Sequence, residues 1–89
     1  MKRTEILDSA RAALVRVRPE LASIDISETT TLAEMGIDSI RMIEVGVHLE
    51  DLIGSEIDFD AWIDQEREKE EGDFLLGSLV SYLEADLER

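Results

Sequence analysis

The chain has 89 residues, 44% of them apolar, no cysteine and a formal net charge of −13. That length supports one small domain, 1–89, with a modest core, and the lack of cysteine excludes disulfides and thiolate metal sites. The charge repels phosphate backbones and anionic lipid, so nucleic acid and membrane are poor partners and basic protein surfaces are favoured ones.

The apolar fraction is too high for an acidic disordered tail. No stretch reaches the length of a membrane span, and "MKRTEILDSARAAL" lacks the continuous apolar core of a signal peptide. A soluble, cytoplasmic, monomeric domain is expected.

The first helical pattern runs from about Thr4 to Val17, with Ile6, Ala10, Ala13, Leu14 and Val17 on one face. Thr4 is the expected cap, and Pro19 ends the helix by about Arg18. The next stretch, "PELASIDISETTTLAEMG", has apolar residues spaced like neither helix nor strand. Leu21, Ile24, Ile26, Leu32 and Met35 are expected to anchor a long loop on the core. Thr30 or Thr31 is placed to open a single turn across "LAEM". Long ordered loops of this kind are often functional.

Gly36 breaks the chain, Asp38 is a good N-cap, and Ser39 falls at the first or second position of a helix reading "SIRMIEVGVHLEDLI". Met42, Val45, Leu49 and Leu52 form one stripe. Ile43, Gly46, Glu50 and Ile53 form the adjacent one, giving a wide apolar arc. Gly46 costs about 1 kcal/mol against Ala in a helix interior, which close approach of another helix would justify. Gly54 is the expected stop.

A short helix is expected from about Asp60 to Glu68, with Ile57, Phe59, Trp62 and Ile63 apolar and "EREKEE" a solvated end. Gly72 and Asp73 then break and re-cap the chain. The last helix, "FLLGSLVSYLEADLE", repeats Leu76, Leu79, Val80, Leu83 and Leu87 at helical spacing. The pattern predicts an all-α fold, a small four-helix bundle of three main helices and one short one, with a long loop between helices 1 and 2.

Little in this sequence suits catalysis. His48, the one histidine, lies nine residues after Ser39 on the same predicted helix, roughly 13 Å along it, too far to act as a base for the serine. The carboxylates are scattered and form no calcium-loop ladder. No catalytic residue and no metal ligand is assigned. The stretch "GIDSI" offers Ser39 as a substrate instead. A serine at a helix start is exposed, an attached anion is favoured there, and Gly36 lets the backbone turn sharply for a modifying enzyme. A simple capping pair, Asp38-Ser39, accounts for the same stretch.

The longer pattern is more specific. The stretch "TLAEMGIDSIRMIEVGVHLED", the acidic chain of this size, the long first loop and the last helix together resemble the acyl and peptidyl carrier proteins, the phosphopantetheine-binding family, over nearly the full length. The resemblance implies that Ser39 receives 4′-phosphopantetheine from coenzyme A through a magnesium-dependent phosphopantetheinyl transferase, with Asp38 recognised beside it. It implies a non-catalytic carrier holding an acyl or aminoacyl thioester. Its partners would be a loading enzyme (an acyltransferase or adenylating enzyme) and a downstream synthase or acyltransferase.

By the same resemblance the second helix docks partners, with Ile40 and Val47 exposed. Arg41, Glu44, Glu50 and Asp51 are the remaining partner-binding candidates. Arg41 stands where fatty-acid carriers are usually acidic, and the third-helix region is longer and more charged than theirs. Both departures look more like freestanding carriers of polyketide or nonribosomal-peptide pathways. The alternative is an unmodified acidic interaction module that binds a basic partner surface.

Overall fold

Ile6, Ala10, Ala13 and Leu14 are all buried along one side of the first helix, α1 (Arg3–Val17). A computed structural model describes residues 2–68 and 74–87 of the chain. Besides α1 it contains a 3-10 helix at Pro19–Ser23, α2 (Ser39–Ile53), α3 (Phe59–Glu68) and α4 (Leu76–Leu87), with no strand among the described residues. The all-α architecture, the short third helix and the long α1–α2 connection are as the sequence predicts.

The start of α1 differs from expectation. Lys2 occupies the N-cap position and Thr4 already lies inside the helix. The Glu5 carboxylate accepts from the Lys2 backbone N–H at 3.2 Å, so a reciprocal acid from the first turn does what the threonine was expected to do. The helix stops where Pro19 requires, because the residue before a proline is pushed out of helical geometry. Arg18 is accordingly extended, at φ −134° and ψ 93°. The 3-10 turn that follows was not legible as a helix, since five residues are too few to show a period.

The long loop lies on the core. Leu21, Ile26, Leu32 and Met35 are buried, but Ile24 faces out at 46% exposure, so four of the five expected anchors hold. Thr31 opens the turn across "LAEM", its Oγ1 accepting from the Glu34 N–H at 3.1 Å.

From behind, the loop is tied to the approach to α4. Thr31 and Leu75 form an isolated antiparallel bridge. The Leu32 N–H donates to the Phe74 carbonyl (3.1 Å), Leu76 N–H to Thr30 (3.0 Å) and Gly77 N–H to Glu28 (2.8 Å). Phe74 takes a left-handed φ of 48° to present its carbonyl, at a cost of about 1–2 kcal/mol for a non-glycine residue. Its ring meets Trp62 edge-on at 5.8 Å, and the Trp62 Nε1 donates to Ser78 Oγ at 3.4 Å.

The Arg3 guanidinium joins α1, loop and α4. It donates to the Glu28 carboxylate, to Ser81 Oγ at 3.0 Å and to Glu84 Oε1 at 3.3 Å. The hydrogen bond from Arg3 holds the Glu28 carboxyl below the usual range, and the same bond raises the Arg3 guanidinium.

Gly46 is buried on α2 against the start of α3, which supplies the close approach its presence implied. Gly54 ends α2 in the left-handed region at φ 80°, its N–H donating to the Glu50 carbonyl at 2.7 Å. Ile57, Phe59, Trp62 and Ile63 are buried, as are Leu76, Leu79, Val80 and Leu83 of α4.

Glu66 corrects the expectation of a wholly solvated "EREKEE" end, for it is only 3% exposed. It stands four residues after Trp62 and three after Ile63, so helix geometry places it on their inward face. Arg67 and Glu68 are exposed as expected, while Lys69 to Glu71, Gly72 and Asp73 lie outside the described residues.

Candidate modification site

The helix start that carries Ser39 is fixed by short-range chemistry on both sides. In the turn before it, the Met35 N–H donates to the Leu32 carbonyl (3.1 Å), Gly36 N–H to Ala33 (3.0 Å) and Ile37 N–H to Leu32 (2.9 Å). Gly36 takes φ 70°, a conformation that glycine adopts without steric cost. Asp38 is the N-cap. Its Oδ1 accepts from the Arg41 N–H at 2.8 Å, and its carbonyl accepts the first helical bond from Met42 at 2.9 Å. Ile37 and Met42, one on each side of the cap, are both buried in the same cluster. That is the arrangement of a hydrophobic staple, which sets the direction of the chain into the helix. Ser39 is therefore the first residue of α2, between exposed Asp38 and exposed Ile40.

A further residue holds this turn from the outside. Arg18, at the end of α1, donates from Nη1 to the Met35 carbonyl at 3.3 Å and to the Gly36 carbonyl at 3.1 Å. Its Nε donates to Glu20 Oε1 at 2.6 Å. The Glu20 carboxyl is held below the usual range, first by its own backbone N–H and then by Arg18, with Arg41 adding in the same direction. In the sequence Arg18 reads only as the residue before a proline, and nothing local announces its reach to Gly36.

The candidate partner residues on α2 divide into two groups. Ile40 is 71% and Val47 61% exposed, as expected for docking positions. Ile43 is 53% exposed, which corrects its placement in an inward apolar arc. Ile40, Ile43 and Val47 follow helical spacing down the outer face, beside a shallow cleft whose other wall is Asp60, Ile63, Asp64 and Arg67 of α3. Arg41 and Glu44 are exposed on the same helix.

Glu50 and Asp51 have contacts within the chain. Glu50 Oε2 accepts from the Ile57 N–H at 3.1 Å and so braces the α2–α3 connection. Asp51 Oδ2 lies 3.6 Å from Arg16 Nη1 of α1. His48 is half-buried one turn before the end of α2. Among the described residues no group of three or more His, Cys, Asp or Glu side chains is placed to hold a metal ion, and no helix is long and apolar enough to cross a membrane.

A family model described as "Phosphopantetheine attachment site" matches residues 11–65, from the middle of α1 to α3. The match spans more than half of the chain and includes the long loop, the Asp38 cap and all of α2. The chain belongs to this family of carrier proteins, whose members carry a covalently attached 4′-phosphopantetheine. No curated protein and no solved structure matches it. The residues at the start of α2 fit such a group. The turn is rigidly braced, Asp38 and Ile40 on either side of the serine are exposed, and the outer face of α2 is open for an enzyme to approach.

Proposed function

We propose that Ser39 is the attachment residue, and that the protein is a carrier in a polyketide or nonribosomal-peptide pathway. The observation that carries this reading is the position of Ser39 as the first residue of an Asp38-capped helix, inside the stretch matched by the phosphopantetheine-attachment family. In the modification the Ser39 hydroxyl attacks the phosphorus next to the pantetheine of coenzyme A. A phosphodiester forms, the pyrophosphate bond breaks, adenosine 3′,5′-bisphosphate leaves, and the hydroxyl proton passes to base or solvent. The attached arm supplies a terminal thiol that holds acyl or aminoacyl groups as thioesters.

The protein's own residues position the serine and present a surface. The Asp38 cap fixes the helix start, and the N-terminal end of the helix dipole favours the anionic diester. Ile40, Ile43 and Val47 offer exposed apolar contact to successive partners: the transferase, a loading enzyme and a downstream synthase. Glu44 and the net charge of −13 steer encounter with basic partner surfaces. A shuttle must also release, which weak, largely electrostatic contacts allow. Arg41 and the charged third-helix region support specialised metabolism over fatty-acid synthesis.

Intact mass is the test. The purified chain is incubated with coenzyme A, magnesium and a broad-specificity phosphopantetheinyl transferase, alongside Ser39→Ala. The wild type is expected to gain one phosphopantetheine and the variant none. No gain in a folded wild type, or an equal gain in both, would sink the assignment and leave the acidic surface as the functional lead.

A further inference from the structure

Arg18 is remote from Ser39 in sequence and close to it in effect. Within the turn over residues 32–37 the Met35, Gly36 and Ile37 N–H groups find acceptors on Leu32 and Ala33, but the Met35 and Gly36 carbonyls are met by one guanidinium from the end of α1. That guanidinium is in turn gripped by Glu20 on the 3-10 helix. Gly36 leaves room for it. A Cβ at Gly36 would lie 1.9 Å from Arg18 Nη1, so any side chain there evicts the arginine besides straining φ. The carbonyls it holds are those of the two residues directly ahead of Ile37 and the cap. The fork therefore fixes the direction from which the chain enters α2.

We propose that Arg18 is a positioning residue for phosphopantetheine attachment: bridging the Met35 and Gly36 carbonyls, it holds the Asp38–Ser39 helix start in the orientation that the transferase needs. The inference rests on Ser39 being the attachment residue. It goes further by assigning that site a brace from just past the end of α1. Two kinds of role separate kinetically. A docking contact changes how tightly the transferase binds the carrier. A brace changes the fraction of bound carriers whose hydroxyl is aligned, and small misplacements of a reacting group are costly. Lysine is a poor substitute, since an ammonium lacks the planar fork that reaches two carbonyls and a carboxylate together.

The experiment measures steady-state transfer from saturating coenzyme A to wild type, Arg18→Met, Arg18→Lys and Ser39→Ala, with amide exchange at Gly36 and Ile37, whose N–H groups are hydrogen-bonded within the turn, read in the same samples. Arg18→Met keeps the aliphatic stem and is expected to lower kcat by about tenfold or more, with KM little changed and faster exchange at both amides. Arg18→Lys is expected to recover part of the loss and carries the test if the methionine variant does not fold. A wild-type kcat in Arg18→Met overturns the proposal, as does a raised KM at constant kcat, which would make Arg18 a docking contact. Loss of fold in both variants also overturns it, by making the arginine a general stabiliser. If the wild type itself gains no phosphopantetheine, or Ser39→Ala gains it equally, the Ser39 assignment has failed and the proposal falls with it. If only the Arg18 variants behave as wild type, the proposal fails alone.

Discussion

Phe59, the first residue of α3, occupies the space that a side chain on Gly46 of α2 would need: a Cβ at Gly46 would lie 2.6 Å from Phe59 Cδ2 and 3.0 Å from Cγ. The ring is buried and cannot swing aside freely. Gly46→Ala gains about 1 kcal/mol in helix propensity but incurs overpacking of about 2–3 kcal/mol. The expected net loss is about 1–2 kcal/mol, read as a lower urea midpoint at unchanged slope. A variant as stable as wild type would show that α3 can shift outward at no cost.

Asp38 combines a cap and a charge, and two substitutions separate them. Asp38→Ala is expected to lose about 1 kcal/mol of stability, a fall of roughly 4–8 °C in Tm for a domain of this size. Asp38→Asn keeps a competent cap and should melt close to wild type. If the transferase reads the carboxylate itself, the Asn variant will still be modified more slowly. Equal rates for Asn and wild type would reduce Asp38 to its structural role.

On the outer face of α2, Ile40→Asp and Val47→Asp remove apolar contact without touching the core. Both positions are largely exposed, so stability should stay within about 0.5 kcal/mol of wild type. Thioester loading by a partner enzyme is expected to fall about tenfold, the size of a lost apolar contact at an interface. Unchanged loading in both variants would move the docking surface off this face.

The Arg3–Glu28 pair makes stability depend on acid in a defined direction. Glu28 has a lowered carboxyl pKa in the folded protein. Its contribution is present above the ordinary carboxylate value of about 4.3 and is lost as pH falls through the lower folded value. The Arg3 guanidinium is raised above its ordinary value, chiefly by its hydrogen bond to Glu28, so its contribution is fully present below that ordinary value and persists through the acid range. The Tm gap between wild type and Glu28→Gln should therefore be constant around neutrality and close in acid. A gap that persists at pH 2 would place the effect in packing around Gly77 rather than in charge.

What could be read from sequence follows the range of the interactions. The Asp38 cap, the Gly54 stop and the inward stripes of α1 and α4 depend on residues within a turn or two of one another, and they stand where spacing put them. Ile43 and Glu66 depart from expectation for related reasons. Hydrophobicity points one inward and the charge of its neighbours points the other outward, whereas helix rotation decides which way each faces. Arg18 and Arg3 were invisible as structural residues because their partners lie far along the chain, on Gly36, Glu28 and Glu84. Thr4 lost its expected role because Glu5 reached back to Lys2 first. Of the proposed attachment site, the serine, its cap and its exposed apolar neighbours are legible in the sequence, and the arginine bound to the turn before them is not.

The bridge between Thr31 and Leu75 imposes an order on synthesis. The Leu32 N–H finds its acceptor on Phe74, and Thr30 offers its carbonyl to Leu76, so the loop leading to Ser39 lacks these partners until the chain has been made past Leu76 and has cleared the ribosome. A nascent chain would expose the serine on a loop still open on one side. With Ser39 as the proposed attachment residue, the transferase would meet a loop braced on both sides only after translation has delivered residues 74–77, which makes attachment a late event.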